Sequence, residues 1–240
     1  MNAAAKSLPR NREHRFFIGA VIAAFAIVFA GFARSYYLKS FFGGPALTLL
    51  VHLHGLLMTG WFVLFFTQAC LIAKHRVDLH RRLGVFGAAY AAVLVLVGLT
   101  TVLRFAARGV HDPADGGFAI LILGYDLVLL TVFALLVGTA IALRRRSNFH
   151  KRLMLLAILG LLSVAIGRIP LDFIKVDVFR ITLLLSDLCV IAAAAVDTVR
   201  NRRLHPVFAW GTLLVVASTW LAYLGVQTHT WTRFATWLVS

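Results

Sequence analysis

The chain has 240 residues, 61% of them hydrophobic, and carries 24 Lys and Arg against nine Asp and Glu for a formal net charge of +15. Soluble domains are nearer 45–50% apolar, so the composition excludes a soluble enzyme and implies one transmembrane domain whose first partner is the lipid bilayer. The basic residues fall in short clusters between apolar runs, the pattern of membrane topology signals rather than of a nucleic-acid-binding surface.

A spanning helix needs about 20 mostly apolar residues. A basic tail at 1–15 precedes the first such stretch, 16–33. It resembles a signal peptide, but the run is long and no A-x-A pattern follows it, so a retained first helix is expected. Further stretches follow at 46–73, 83–104, 117–143, 152–174, 181–199 and 207–226. None alternates with a period of two, which rules against a strand barrel. After the seventh, Trp231, Phe234, Trp237 and Leu238 recur at near-helical spacing, so 230–240 reads as a short interfacial helix. The expected fold is all-α: a basic tail, an integral membrane bundle of seven transmembrane helices over 16–229, and that last surface helix.

Lys and Arg set the orientation. Sixteen lie at the N-terminus and in every second loop after it, from Lys6 through Arg203, and seven lie on the opposite side. This bias puts the N-terminus inside and the C-terminus outside, as in a bacterial inner (cytoplasmic) membrane. The stretch His111-Asp112-Pro113-Ala114-Asp115-Gly116-Gly117 reads as an outer turn. Cys70 and Cys189 both lie inside apolar runs and read as packing residues.

Ionisable residues inside apolar runs are costly and so point to function. His54, Asp126, Arg168 and Asp187 come from four predicted helices and sit at matched depth in the outer half. His52 is two residues from His54 and faces another way around the helix, whereas His54 shares a stripe with Trp61 and Gln68. The bland reading is an ion-pair network of Arg168 with Asp126, Asp187 or Asp172. The functional reading is a site for a metal on His54, Asp126 and Asp187, or for a proton or small polar ligand; Arg168 would oppose a metal cation.

At the inner boundary two phrases match: Leu79-His80-Arg81-Arg82-Leu83 and Phe149-His150-Lys151-Arg152-Leu153. His80 and His150 are expected at helix N-termini, where partial positive charge discourages protonation and leaves a neutral imidazole able to ligate a metal or haem iron. Contact with lipid headgroups is the bland alternative. His205 precedes Pro206, which suits the first position of the last span. His14 and His75 read as solvated loop residues. A weak repeat places an ionisable residue, then a basic inner loop with a His, after the second, fourth and sixth spans. No phosphate loop, nucleophile elbow or H-E-x-x-H sequence is present.

Several phrases resemble a group of bacterial multi-pass membrane proteins without an assigned activity: Val51-His52-Leu53-His54-Gly55, the stretch from Trp61 through Gln68, His80-Arg81-Arg82-Leu83-Gly84, His150-Lys151-Arg152-Leu153-Met154 and His205-Pro206. More distantly the arrangement resembles haem-b membrane cytochromes of the ascorbate and ferric reductase type. That resemblance implies His80 and His150 as ligands of an inner haem b. It also implies an outer ligand at His54, where the fourth helix offers Asp126 instead of a second His. Three functions follow as expectations: a redox protein holding haem b or a transition metal, an ion- or proton-coupled transporter using the outer polar cluster, or a scaffold or assembly subunit.

Overall fold

A computed structural model of the chain describes residues 10–110, 116–170 and 177–239. Every regular element among them is helical: α1 (Arg10–Phe32, continued by a π-helical turn Ala33–Tyr37), α2 (Lys39–Phe42), α3 (Leu49–Ala73), α4 (Val77–Gly109), α5 (Gly116–Ala142), α6 (Ser147–Gly160), α7 (Leu162–Ile166), α8 (Val178–Asn201), α9 (Pro206–Gly225) and α10 (His229–Val239). Seven segments are long and apolar enough to cross a membrane, α6 and α7 together forming one of them. The chain is a multi-pass membrane protein.

The centre of the bundle is α5 with α6–α7. Helix α5 packs against α4, α6 and α9, and α6 also meets α8 and α1. Phe133, Leu136, Leu155, Leu156, Ile158 and Leu162 form the core where these helices meet. The outer helices present large apolar side chains away from it, among them Val85, Leu96, Val199, Trp210 and Leu221. Lipid solvates that face, so it needs no protein cover.

Two boundaries differ from the sequence reading. Helix α4 starts at Val77, not near 83, because the charged run Asp78 to Arg82 forms its first turns. An acidic residue in the first turn suits the helix N-terminus. The fifth span does not run unbroken to 174. It breaks at Leu161 and ends at Ile166. There α7 crosses α1 so closely that a Cβ on Gly31 would strike the backbone of Ala165. Small residues at membrane helix crossings permit such approach. The outer turn expected at 111–117 lies mostly outside the described residues.

Helix α10 lies against α5 and α4. Its Trp231 ring covers Gly124, and its indole N–H donates to the Ile120 carbonyl at 3.1 Å. Ala235 is fully buried beneath it, while Phe234 and Trp237 face outward.

Candidate functional site

The basic end of the bundle holds two helix starts of the same construction. Arg76 caps α4 and Arg146 caps α6, and the fourth residue of each helix is a histidine whose N–H closes the first turn onto the cap carbonyl at 3.0 Å, His80 on Arg76 and His150 on Arg146. The matching phrases extend further than the short motif, from Arg76 through Leu83 and from Arg146 through Leu153. The two rings meet, with centroids 6.3 Å apart and planes at 83°.

Each ring is tied at Nδ1. His150 Nδ1 lies 2.8 Å from the Ala140 carbonyl, which can only accept, so this nitrogen carries the proton. On the other side Gln68 of α3 reaches across to α4. With its amide turned to suit the two backbone groups, its Oε1 accepts from the Gly84 N–H at 3.0 Å and its Nε2 donates to the His80 carbonyl at 3.2 Å, with His80 Nδ1 2.7 Å away. The His80 ring also has a hydrogen bond with the Gln68 backbone. From the sequence, Gln68 stood on a stripe with His54 and at the end of the resembling stretch from Trp61, with no link to the two histidines. The repeated helix start is the signal that would have linked the histidines, and nothing local marks Gln68 as their partner.

Two imidazoles ligating one haem iron need their nitrogens about 4 Å apart, from bonds of about 2 Å. Ring atoms lie about 1.1 Å from their centroid, so the spacing of the pair fits. The nitrogen chemistry fits at His150. A ligating His donates its other N–H to a carbonyl or carboxylate, and His150 does this with Ala140. The His80 ring has the Gln68 backbone and the end of the Gln68 side chain as its neighbours.

The basic neighbours are not all solvated. Arg152 is 4% exposed and Asp197 of α8 is 2% exposed. They form a two-pronged ion pair, with Nε to Oδ2 at 3.0 Å and the second prong at 2.8 Å. Arg152 also donates to the Asn148 carbonyl at 3.0 Å and has Glu13 of α1 at 4.0 Å. Glu13 pairs with Lys151. His205 caps α9, its Nδ1 accepting from the Val207 N–H at 3.2 Å, and its ring stands edge-on to Phe149 at 5.0 Å. Burial, then the nearby Arg152 charge, pushes the His205 pKa below the usual imidazole value. His14 and His75 are neighbours too, with ring centroids 6.4 Å apart.

In the other half of the bundle, Arg168 stands just past α7. It donates to the Val164 carbonyl at 2.8 Å and lies 4.8 Å from the centroid of the Phe32 ring. Its charge acts on both Asp126 of α5 and His54 of α3. Neither Asp126 nor His54 makes a hydrogen bond or an ion pair among the described residues. Asp187 of α8 is turned elsewhere, accepting from the Trp220 indole at 2.7 Å. Tyr125, next to Asp126, and Ser163 of α7 bury their hydroxyls beside one another. His52 sits by Tyr36, whose ring centroid is 5.9 Å away.

The four outer residues are thus not one network. Arg168, Asp126 and His54 share a region, Asp187 bonds Trp220 but acts with Asp126 on Tyr125, and no ion pair joins Arg168 to Asp126 or Asp187 among the described residues. Asp172 lies outside the described residues. Among the described residues no three His, Cys, Asp or Glu side chains converge as a metal set, so His54, Asp126 and Asp187 do not form one. The buried ion pair of the bundle is instead Arg152 with Asp197. Compared with known proteins, the chain matches no family model, no curated protein and no solved structure.

Proposed function

We propose that the protein is a proton-coupled membrane transporter of the bacterial inner membrane, N-terminus inside, with Asp126 as its proton-carrying group. The observation that carries this is the state of that carboxylate. It sits within a membrane-spanning helix with no bonded partner among the described residues, while the nearest cation, Arg168, is engaged by a carbonyl and an aromatic ring. Ionisable groups placed this way mark ion pathways and proton relays. His54 shares the field of Arg168 and supplies a second exchangeable site beside it. The His80–His150 pair supplies another at the basic end, so titratable groups stand in both halves of the bundle.

The test uses purified protein in liposomes that enclose a pH-sensitive dye, with a potassium diffusion potential as driving force. Wild type should acidify the lumen several-fold faster than the Asp126→Asn variant. Rates equal to those of protein-free vesicles would refute the reading.

A redox role is the second reading, with haem b or a transition metal on His80 and His150. The 6.3 Å ring spacing favours it. A reduced-minus-oxidised spectrum of protein expressed with ample haem decides. Sharp six-coordinate haem bands, lost in His80→Ala and His150→Ala, would establish it.

A further inference from the structure

At the basic end of the bundle two corners of the chain come together. The contact of the His80 and His150 rings sets the start of α4 beside the start of α6. Lys74, Arg76, Arg81 and Arg82 belong to the passage from α3 into the first turns of α4, and Arg144 through Arg146 join α5 to α6. All seven are exposed. Asp78 is the acidic residue of these corners, and it meets Arg76 at 3.6 Å. The other acids of this end are engaged elsewhere, Glu13 by Lys151 and Asp197 by Arg152. Among the described residues no ion pair reaches the other six cations of the corners.

Like charges gathered this way repel one another unless an anion joins them. The bias that orients a membrane chain counts the cations of its loops and does not require two loops to meet. Here they meet, and the surface beside them identifies the partner. On α4, Val85 and Phe86 follow Arg81 and Arg82 by four residues each and are 76% and 56% exposed. Residues four apart share a helix face. Each outward cation thus stands one turn from an outward apolar side chain. A phospholipid has the same order of chemistry, a phosphate above an acyl chain. A soluble polyanion suits the cations and has nothing to offer Val85 and Phe86. A zwitterionic headgroup brings its own cation, so the net positive corners select an anionic one.

We propose that the two corners form a binding surface for anionic phospholipid of the leaflet at the basic end, with the headgroup on their cations and the acyl chains along α4 at Val85 and Phe86. A headgroup shared by both corners ties the start of α4 to the start of α6, in addition to the contact of the two histidine rings. The inference rests on the exposed charge and its apolar continuation and is independent of proton coupling at Asp126.

The experiment is native mass spectrometry of the full chain in a neutral detergent, with phosphatidylglycerol or phosphatidylcholine of the same acyl chains added. Wild type should bind the first phosphatidylglycerol at least about tenfold more tightly than the first phosphatidylcholine. One cation near an anionic headgroup contributes about fivefold. Arg81→Gln combined with Arg145→Gln takes one cation from each corner and should weaken phosphatidylglycerol by about 25-fold, leaving phosphatidylcholine unchanged. Arg202→Gln combined with Arg203→Gln removes the same charge from exposed positions of this end outside both corners. It should weaken phosphatidylglycerol by about fivefold at most. Equal affinity for the two lipids, or equal losses from the two double variants, would overturn the proposal. Salt is the second measurement, needed if the corner variant does not fold. Raising ammonium acetate from about 50 to about 500 mM should weaken phosphatidylglycerol on wild type by about tenfold and phosphatidylcholine little; an affinity for phosphatidylglycerol that ignores salt would overturn it. Inorganic pyrophosphate at the same concentration as the lipid is the soluble competitor. It should leave phosphatidylglycerol bound, and full displacement would assign the corners to a soluble anion instead.

Discussion

Removing one member of the Arg152–Asp197 pair should be among the most damaging single changes in this bundle. Both side chains are almost fully buried, and two hydrogen bonds of 2.8 and 3.0 Å join them. With charge centres about 4 Å apart and an effective dielectric of about 20, their attraction is about 4 kcal/mol. Deleting one partner of a buried pair costs about 3–5 kcal/mol, because the other charge is left in a poorly solvating interior. The two single variants should not be equal. Arg152 left alone still has Glu13 at 4.0 Å and the Asn148 carbonyl at 3.0 Å, whereas Asp197 has no second cation among the described residues. Arg152→Met should therefore cost more than Asp197→Leu. At about 2–4 °C per kcal/mol for a chain of this size, Arg152→Met should lower Tm by about 10 °C. The double variant, with apolar groups of similar volume, should recover most of the loss. Scanning fluorimetry of the four proteins of the cycle in one detergent provides the check. Single losses below about 1 kcal/mol, or a double loss equal to their sum, would show that the pair is not energetically coupled.

Three further outcomes are expected. Reporter fusions at Asn148 and after Ser240 should report opposite compartments, given the sixteen-to-seven distribution of Lys and Arg; the same compartment for both would refute the orientation. Gly31→Leu should destabilise the α1–α7 crossing by about 1–3 kcal/mol, an overpacking cost, because its side chain meets the Ala165 backbone, which cannot rotate away; an unchanged Tm would mean the crossing yields. His205 should make the α9 end acid-sensitive. Its folded pKa lies below its unfolded value, so its stabilisation is complete above about pH 6.5 and is lost as pH falls through the folded pKa, when a protonated Nδ1 can no longer accept from Val207. His205→Asn keeps a capping acceptor that does not titrate, so its thermal stability should fall less between pH 7 and pH 5 than that of wild type.

The spans were legible because bilayer thickness imposes a length on any apolar helix, and that length is written in the sequence whatever the helix touches. Helix rotation was not legible. In a soluble helix a polar face opposes an apolar one and fixes which side is buried, but here lipid and core are both apolar, so Leu96, which faces out, and Leu94, which is buried, look alike in the sequence. Partner choice depends on rotation. Arg152 read as one more inner-loop cation beside Lys151, and its partner Asp197 stands 45 residues away on a helix whose orientation no local pattern sets. His80 and His150 were identified as a pair because the same phrase starts both helices, a signal carried within each segment. Gln68 carries no such phrase, and its role emerges only where α3 passes α4. The outer residues were found individually through the cost of burying charge. Their grouping by depth could not show that Asp187 turns to Trp220 while still acting, with Asp126, on Tyr125, because depth says nothing about direction.

The seating of Trp231 over Gly124 has a consequence for how the chain is assembled. Helix α10 is made after all seven spans, and the surface that receives it lies on α5 and α4, elements translated long before. That surface is complete only when the fourth and third spans are inserted and side by side, and α10 reaches it only after α9 has crossed. The indole of Trp231 thus reports closure of the bundle from a segment beyond the seventh span. A chain without α10 would retain every span and yet leave Gly124 and the Ile120 carbonyl uncovered at the end of its central helix.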